Sequence, residues 1–535
     1  MSLILLAVPL QAEEKGIDHW ISQLEAGDVA QRRAAVYELW KLKDKAKRAT
    51  AALAYALRDA DDYVRETAAR ALEGLMWGAV DALAPLEQAL RDQRVAVRRD
   101  AARLMATIGP EALDALESLK AALRDPDPGV RRDAVSTLPH FGPKGVTAGP
   151  DVERLLKEDP DGQVRMWAAN ALFSMGTPPS SAATLLAALE DKEPGVRDRA
   201  AGALQVLWPE VQIPVDTLLA MLADPSATAR NAAAMALRRY LDDPKVRDAL
   251  IAAAGDPEPL AAVMILDAIG GMKPPPEKAV RAVAGRLAVP VEDESAAGIR
   301  VSAVLALMRM GPAAAPAVPA LLEMLETTKD ATVLILWTLG QIGPAAKEAV
   351  PALRGKLGDA DTLVALAAAG ALQQVAGEGL ERLTAALADP ARAKTALAEL
   401  GRMGAAASGA APAVRKLLSD EGLRRDAAIA LFRIAGAEEK EAYAILLESV
   451  RTGDDTSCRL AVLALRDGPQ PDEAAVTALV EVLKTRENGV RYHAAEALRN
   501  LGPAARPALP ALREALAGAP PPLNIAIKEA IVAAR

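Results

Sequence analysis

Asp159-Pro-Asp-Gly-Gln-Val-Arg-Met-Trp-Ala-Ala-Asn-Ala-Leu172 is one copy of a phrase, Asp-x-Asp-x-x-Val-Arg-x-x-Ala-Ala-x-Ala-Leu, that returns about every 33 residues. Copies stand at Val64-Arg65, Val97-Arg98, Val130-Arg131, Val164-Arg165 and Val196-Arg197, and variants follow at Ala229-Arg230, Ile299-Arg300, Leu423-Arg424 and Val490-Arg491. A fixed step of this length is the mark of stacked helical hairpins, each too small to bury its own apolar face and stable only against its neighbour. The stack overrides the division into several domains that 535 residues would otherwise imply, because an array grows by adding units. The composition agrees. Hydrophobic residues make up 51% of the chain and aromatic ones 3%, so burial falls to Ala, Leu and Val, and Ala and Leu lead the helix-propensity scale.

Each unit reads as a first helix of the type Leu-x-x-Ala-Leu, a turn rich in Asp and Pro, and a second helix opened by Val-Arg. Asp127 and Asp161 stand where an N-cap is needed. The pairs Gly109-Pro110, Gly142-Pro143, Gly311-Pro312, Gly343-Pro344 and Gly502-Pro503 stand where a left-handed cap should end the second helix. On these residues the chain resembles the HEAT repeats, in particular the short bacterial type also found in phycobilisome lyases. The resemblance implies an all-α class, an α-α superhelix or HEAT-like solenoid of about 15 hairpins. It is expected to run as a single array over 13–535.

Within that family the repeat Arg pairs with the turn Asp of its own or the adjacent unit. The resemblance therefore implies a structural ladder at Arg65, Arg98, Arg131, Arg165, Arg197 and Arg230. The position is then taken by Ala262, Thr332, Ala365, Ala393 and Cys458. The stretch from about 255 to 410, interrupted at Arg300, is expected to be held mainly by apolar packing.

With the Val as position zero and about 100° per residue, the core stripe falls at positions 0, 4, 7, 8 and 11, and positions 2 and 6 point away from it. In HEAT-like stacks second helices line the concave side, which makes Arg70, Arg99, Arg103 and Arg132, with Trp167 and Asn170, the candidate partner-binding residues. Asp100 and Asp133 offset part of that charge, and the basic run at Lys41, Lys43, Lys45, Lys47 and Arg48 reads as a solvated face. Longer connections at 209–214, at 289–298 with Glu292, Asp293 and Glu294, and at 467–472 are surface loops or candidate binding loops.

No catalytic motif is found. The histidines His19, His140 and His493 lie far apart in a linear stack, and none precedes Glu as in deoxyhypusine hydroxylase, a HEAT-like enzyme that holds iron with His-Glu pairs. Cys458 replaces a ladder Arg, and Asp159-Pro-Asp161-Gly162 lacks the ligands of a calcium loop. No cofactor is expected. The net charge of −8 disfavours general nucleic-acid binding. The expectation is a non-enzymatic scaffold or adaptor that takes a protein or peptide on its concave face. A bilin lyase-like or other HEAT-type enzyme is the first alternative, and nucleic-acid binding through the N-terminal Arg row is the second. Residues 1–12 resemble an export signal without a preceding Lys or Arg, which leaves an exported or a cytoplasmic location open, and no other segment reads as an integral membrane span.

Overall fold

The computed structural model describes residues 16–75, 79–176, 179–207, 211–289, 294–328, 331–468, 472–520 and 522–535. The segment 1–12 lies outside them. Among the described residues every regular element is helical: 32 α-helices run in sixteen consecutive antiparallel pairs, with 3₁₀ segments between many of the pairs. The chain falls into two compact units, Met1–Val211 and Gln212–Arg535.

The repeated phrase builds each hairpin through its turn. Its first Asp accepts the backbone N–H two residues on, as at Asp125 from Asp127 and at Asp159 from Asp161, which bends the chain. Its second Asp caps the next helix. Asp61 accepts from the Val64 N–H, Asp127 from Val130, and Asp161 from Gln163 and Val164. The core stripe follows the helical period, and Val164, Ala168, Ala171, Leu172 and Met175 are all buried. Ala at positions 4 and 7 lets stacked helices approach closely.

The expected left-handed cap is corrected in one respect. Gly109, Gly142, Gly343 and Gly502 have φ of 85°, 60°, 70° and 56°, but their ψ lies between −132° and −154°, outside the αL region and in one open essentially to glycine alone. The following Pro opens a 3₁₀ segment such as Pro110–Ala115, which leads into the next first helix. The same device interrupts 297–327, the one described stretch long and apolar enough by composition to cross a membrane. Gly311, at φ 57°, divides it into Glu294–Met310 and Val318–Thr327.

On the turn edge, consecutive hairpins are joined by guanidinium rungs. Arg98, Arg131 and Arg165 each place Nε and Nη2 on the two carboxylate oxygens of the next turn's Asp125, Asp159 and Asp191, at 2.6–3.0 Å. Each also donates from Nη1 to a carbonyl of its own turn. Arg230 repeats the pattern on Asp256, and Arg32 makes the same pair with Asp59. The bidentate geometry fixes distance and orientation together. The hydrogen bonds they donate to Asp125, Asp159, Asp191 and Asp256 hold the guanidinium pKa of Arg98, Arg131, Arg165 and Arg230 above its ordinary value. Burial pushes Asp191 and Asp256 up, but the facing Arg together with the backbone N–H of Glu193 or Glu258 outweighs it and leaves both carboxyls below the usual range.

Arg65 differs. It donates to the Asp59 carbonyl and pairs with Asp62, because Arg94, at the N-cap position of the next helix, takes Asp92 at 2.9 Å. Arg94 holds the Asp92 carboxyl down at about 2. Arg197 donates to the carbonyls of Asp191 and Lys192.

In Gln212–Arg535, beyond the Arg230–Asp256 rung, further polar bridges join second helices. Arg238 and Arg309 both reach Asp267, at 3.0 and 2.6 Å, and Arg466 joins Asp467 to Glu496. Trp337 Nε1 donates to Glu399 at 2.9 Å, skipping the intervening hairpin. Second helices two hairpins apart would stand roughly 16–20 Å apart in a straight stack, so this contact puts them on the inside of the bend. Gly370 leaves room for it: a Cβ there would crowd Arg402 Nη2 at 3.1 Å and Glu399 Oε2 at 3.2 Å. Over 255–410 these bridges add to a buried core that is almost entirely apolar.

Candidate partner-binding face

The second helices of Met1–Val211 carry the candidate row. Position 2 leans on the hairpin that follows: Arg99 lies over Gly129, where a Cβ would be 2.9 Å from its Nε, and Met166 lies over Gly195 in the same way. Arg99 and Arg132 converge on Asp133, at 2.9 and 3.1 Å. Arg103 bridges Glu73 and Asp100, at 2.5 and 3.0 Å. Burial lowers its pKa, and the two carboxylates more than offset that. Arg70 sits loosely against Glu66 at 3.4 Å, with both side chains exposed. Trp167 and Asn170 are half-buried on the helix Gly162–Met175. The structure thus groups Arg99 with Arg132, keeps Arg70 and Arg103 in separate pairs, and makes the row charge-balanced rather than basic.

An aromatic cluster at the start of this face is absent from the sequence reading. Tyr37 and Trp40, on the helix Val29–Leu42, are 41% and 43% exposed with ring centroids 5.8 Å apart. Lys41 lies over the Tyr37 ring at 5.5 Å, and Arg33 lies over Tyr63 of the next second helix at 5.9 Å while pairing with Asp61. Aligned through Arg32, which makes the rung to Asp59, Arg33 and Tyr37 are positions 2 and 6 of the first hairpin. The phrase is hard to see there because Gln31 replaces the Val. Its side chain accepts from the Asp28 N–H while Asp28 accepts from Gln31, a closed capping box. Alignment on the rung Arg instead of the Val would have exposed the signal.

The remaining candidates are dispersed. His19 packs edge-on against Trp20, His140 lies 3.2 Å from the Thr137 carbonyl, and His493 lies 3.2 Å from Glu496. Among the described residues no group of three His, Cys, Asp or Glu is placed to hold a metal ion. Cys458 is buried with Sγ 3.2 Å from the Val450 carbonyl, and burial pushes its thiol pKa up, away from a reactive thiolate. Glu292 and Asp293 lie outside the described residues, as do 209–210 and 469–471, and Glu294 begins the helix Glu294–Met310.

The comparisons agree with this architecture. The family model for HEAT repeats matches residues 17–106, 83–172 and 116–205, and that for the PBS lyase HEAT-like repeat matches 490–518. The chain is a HEAT-repeat protein. Among solved structures, importin beta in an ammonium sulfate condition is similar over 96% of this chain and 85% of its own, with TM-score 0.52 and 13% identity. Kap95p, from a structure with RanGDP, is similar over 97% and 84%, with TM-score 0.51 and 15% identity. At these identities the likeness is one of fold: an all-α superhelix of the α-solenoid kind. None of the curated proteins matches the chain.

Proposed function

We propose that this protein is a non-enzymatic scaffold or adaptor that binds another protein or a peptide on the second-helix face of Met1–Val211. One observation carries the reading. Of the fifteen aromatic residues in the chain, the four exposed ones among the described residues are Tyr37, Trp40, Tyr55 and Tyr63, all within the first two hairpins. Three of them lie on second helices, beside Arg33 and Lys41. Exposed Tyr and Trp next to Arg are the residue types that dominate binding energy at protein interfaces, since they bury large area at low entropic cost. The row from Arg70 to Arg132, with Trp167 and Asn170 beyond it, continues the face with matched charges that set orientation and discriminate between partners.

The test is affinity capture from lysate of the encoding organism with three baits: the native chain, Tyr37→Ala/Trp40→Ala, and Arg70→Glu/Arg99→Glu/Arg103→Glu/Arg132→Glu. A partner held by the native chain and lost by the aromatic double variant supports the reading. A partner that all three baits retain equally places the site elsewhere.

A further inference from the structure

The rungs of the turn ladder define a receptor for a guanidinium group. At Arg131 it consists of the carbonyls of Asp125 and Pro126, six and five residues earlier, and the Asp159 carboxylate, itself oriented by the Asp161 N–H. Arg165 and Arg230 occupy the same arrangement with Asp159, Pro160 and Asp191, and with Asp224, Pro225 and Asp256.

At position 365 the side chain is missing and the receptor remains. Ala365 stands in the place of the Arg. Six and five residues before it are Asp359 and Ala360, and the next turn's Asp389 is still oriented by a backbone N–H, from Ala391 at 2.9 Å. In the space between the two turns is a cavity of about 510 Å³, whose walls include Asp359, Ala360, Ala365, Arg382, Asp389 and Arg392. That size is within the range of roughly 300–1,000 Å³ typical of ligand pockets. A second broken rung shows the converse. Arg300 keeps its guanidinium, which donates to Thr328 where other turns have Asp, and a cavity of about 210 Å³ lies beside it.

We propose that the cavity at Ala365 binds a guanidinium group presented from outside the chain. The ligand's N–H groups would meet the carbonyls of 359 and 360 on one side and the Asp389 carboxylate on the other, as the internal arginines do. Arg392 contacts Asp389 through Nε at 3.2 Å and is more than half exposed, so it shares the carboxylate without filling the cavity. A carboxylate has about four acceptor sites, which accommodates both. An ammonium group is a point charge and does not span carbonyls and carboxylate together, so arginine is selected over lysine. Two sources supply the chemistry, a free arginine-like molecule or an arginine side chain of a polypeptide partner. The site is remote in sequence from the aromatic face, and either can fail without the other.

The experiment is calorimetric titration of the full chain, with thermal unfolding in parallel, using N-acetyl-arginine amide, N-acetyl-lysine amide and a blocked Ala-Ala-Arg-Ala-Ala peptide at one ionic strength. The arginine amide is expected to bind and raise the Tm, with the lysine amide weaker by about tenfold. Ala365→Arg fills the receptor from within and abolishes binding. Asp389→Asn removes the charge without changing shape and weakens binding by at least about tenfold, which keeps the test valid if Ala365→Arg folds poorly. Tighter binding of the peptide than of the amide assigns the ligand to a partner polypeptide, and equal binding assigns it to a small molecule. Equal binding of arginine and lysine amides, binding unchanged by Asp389→Asn, or no binding at all overturns the proposal.

Discussion

The two compact units differ in how regularly their hairpins are joined at the turns. In Met1–Val211, and as far as Arg230, bidentate rungs recur at the turns, where Arg131 and Asp159 are 11% and 3% exposed, beside second-helix pairs such as Arg103 with Glu73. Beyond Arg230 the turn aspartates Asp359, Asp389 and Asp420 keep their backbone hydrogen bonds from Asp361, Ala391 and Gly422, while the ladder positions that would face them hold Thr332, Ala365 and Ala393. There the regular rungs give way to scattered turn contacts, such as Arg486 with Asp455, and to charged contacts on the second helices. They reach as far as Arg239, in the 3₁₀ segment Arg238–Tyr240, which lies 3.5 Å from Glu529 on the last helix, across 290 residues. The difference teaches where curvature is set. A rung at the turns couples neighbours at one fixed spacing, whereas contacts between inner faces draw hairpins together, even those separated by another.

The largest effect is expected from Glu399→Ala, which deletes the hub of the inner face. Glu399 is 2% exposed, bonded to Trp337 and paired with Arg402 at 2.7 Å. Leaving that guanidinium and indole N–H behind should cost about 3 kcal/mol in chemical denaturation; a loss no greater than that of a surface substitution would mean that the inner contacts do not hold the second unit. Acid should act next, and on the first unit. The Asp92 carboxyl is held at about 2, below an unfolded value near 3.9, so its contribution is complete above the unfolded pKa and disappears as pH falls through about 4 to 2. It amounts to at most about 2–3 kcal/mol, less what solvent screening of the part-exposed Arg94 removes, and Asp92→Asn should flatten the decline of Tm over that window. A single regular rung is worth somewhat less. Arg131→Ala should lower stability by roughly 1 to 2 kcal/mol, and adding Asp159→Ala should return part of it by removing the stranded carboxylate. An unchanged denaturation midpoint would make the ladder ornamental. The smallest effect belongs to the exposed row: Arg70→Ala should change stability by less than about 0.5 kcal/mol, since its pair with Glu66 is solvated. A larger loss there would show that the face is committed to packing and is no free surface.

Much of the candidate face was legible, because position 2 and position 6 of a helix of known register need only the period of 3.6 to be placed. Arg70, Arg99, Arg103 and Arg132 were found that way. Their pairing was not, since Arg103 to Glu73 and Arg99 to Asp133 cross between hairpins. Tyr37 and Trp40 were missed for a local reason, the capping Gln31 that breaks the repeated phrase.

The sequence by itself determined the hairpin, because every element of it is local: an Asp that bends the turn, an Asp that caps a helix, a stripe of Val, Ala and Leu, and a glycine whose φ near 60° to 85° no other residue adopts cheaply. It also determined which turns carry an arginine. Only the tertiary structure decided which carboxylate each arginine finds, as Arg103 shows by reaching Glu73 on the preceding second helix, and how far a helix can reach past its neighbour, as Trp337 and Glu399 show across Gly370. Those contacts join residues from about 30 to nearly 300 positions apart, and their formation depends on the summed bend of the hairpins between them, which no local stretch of sequence contains.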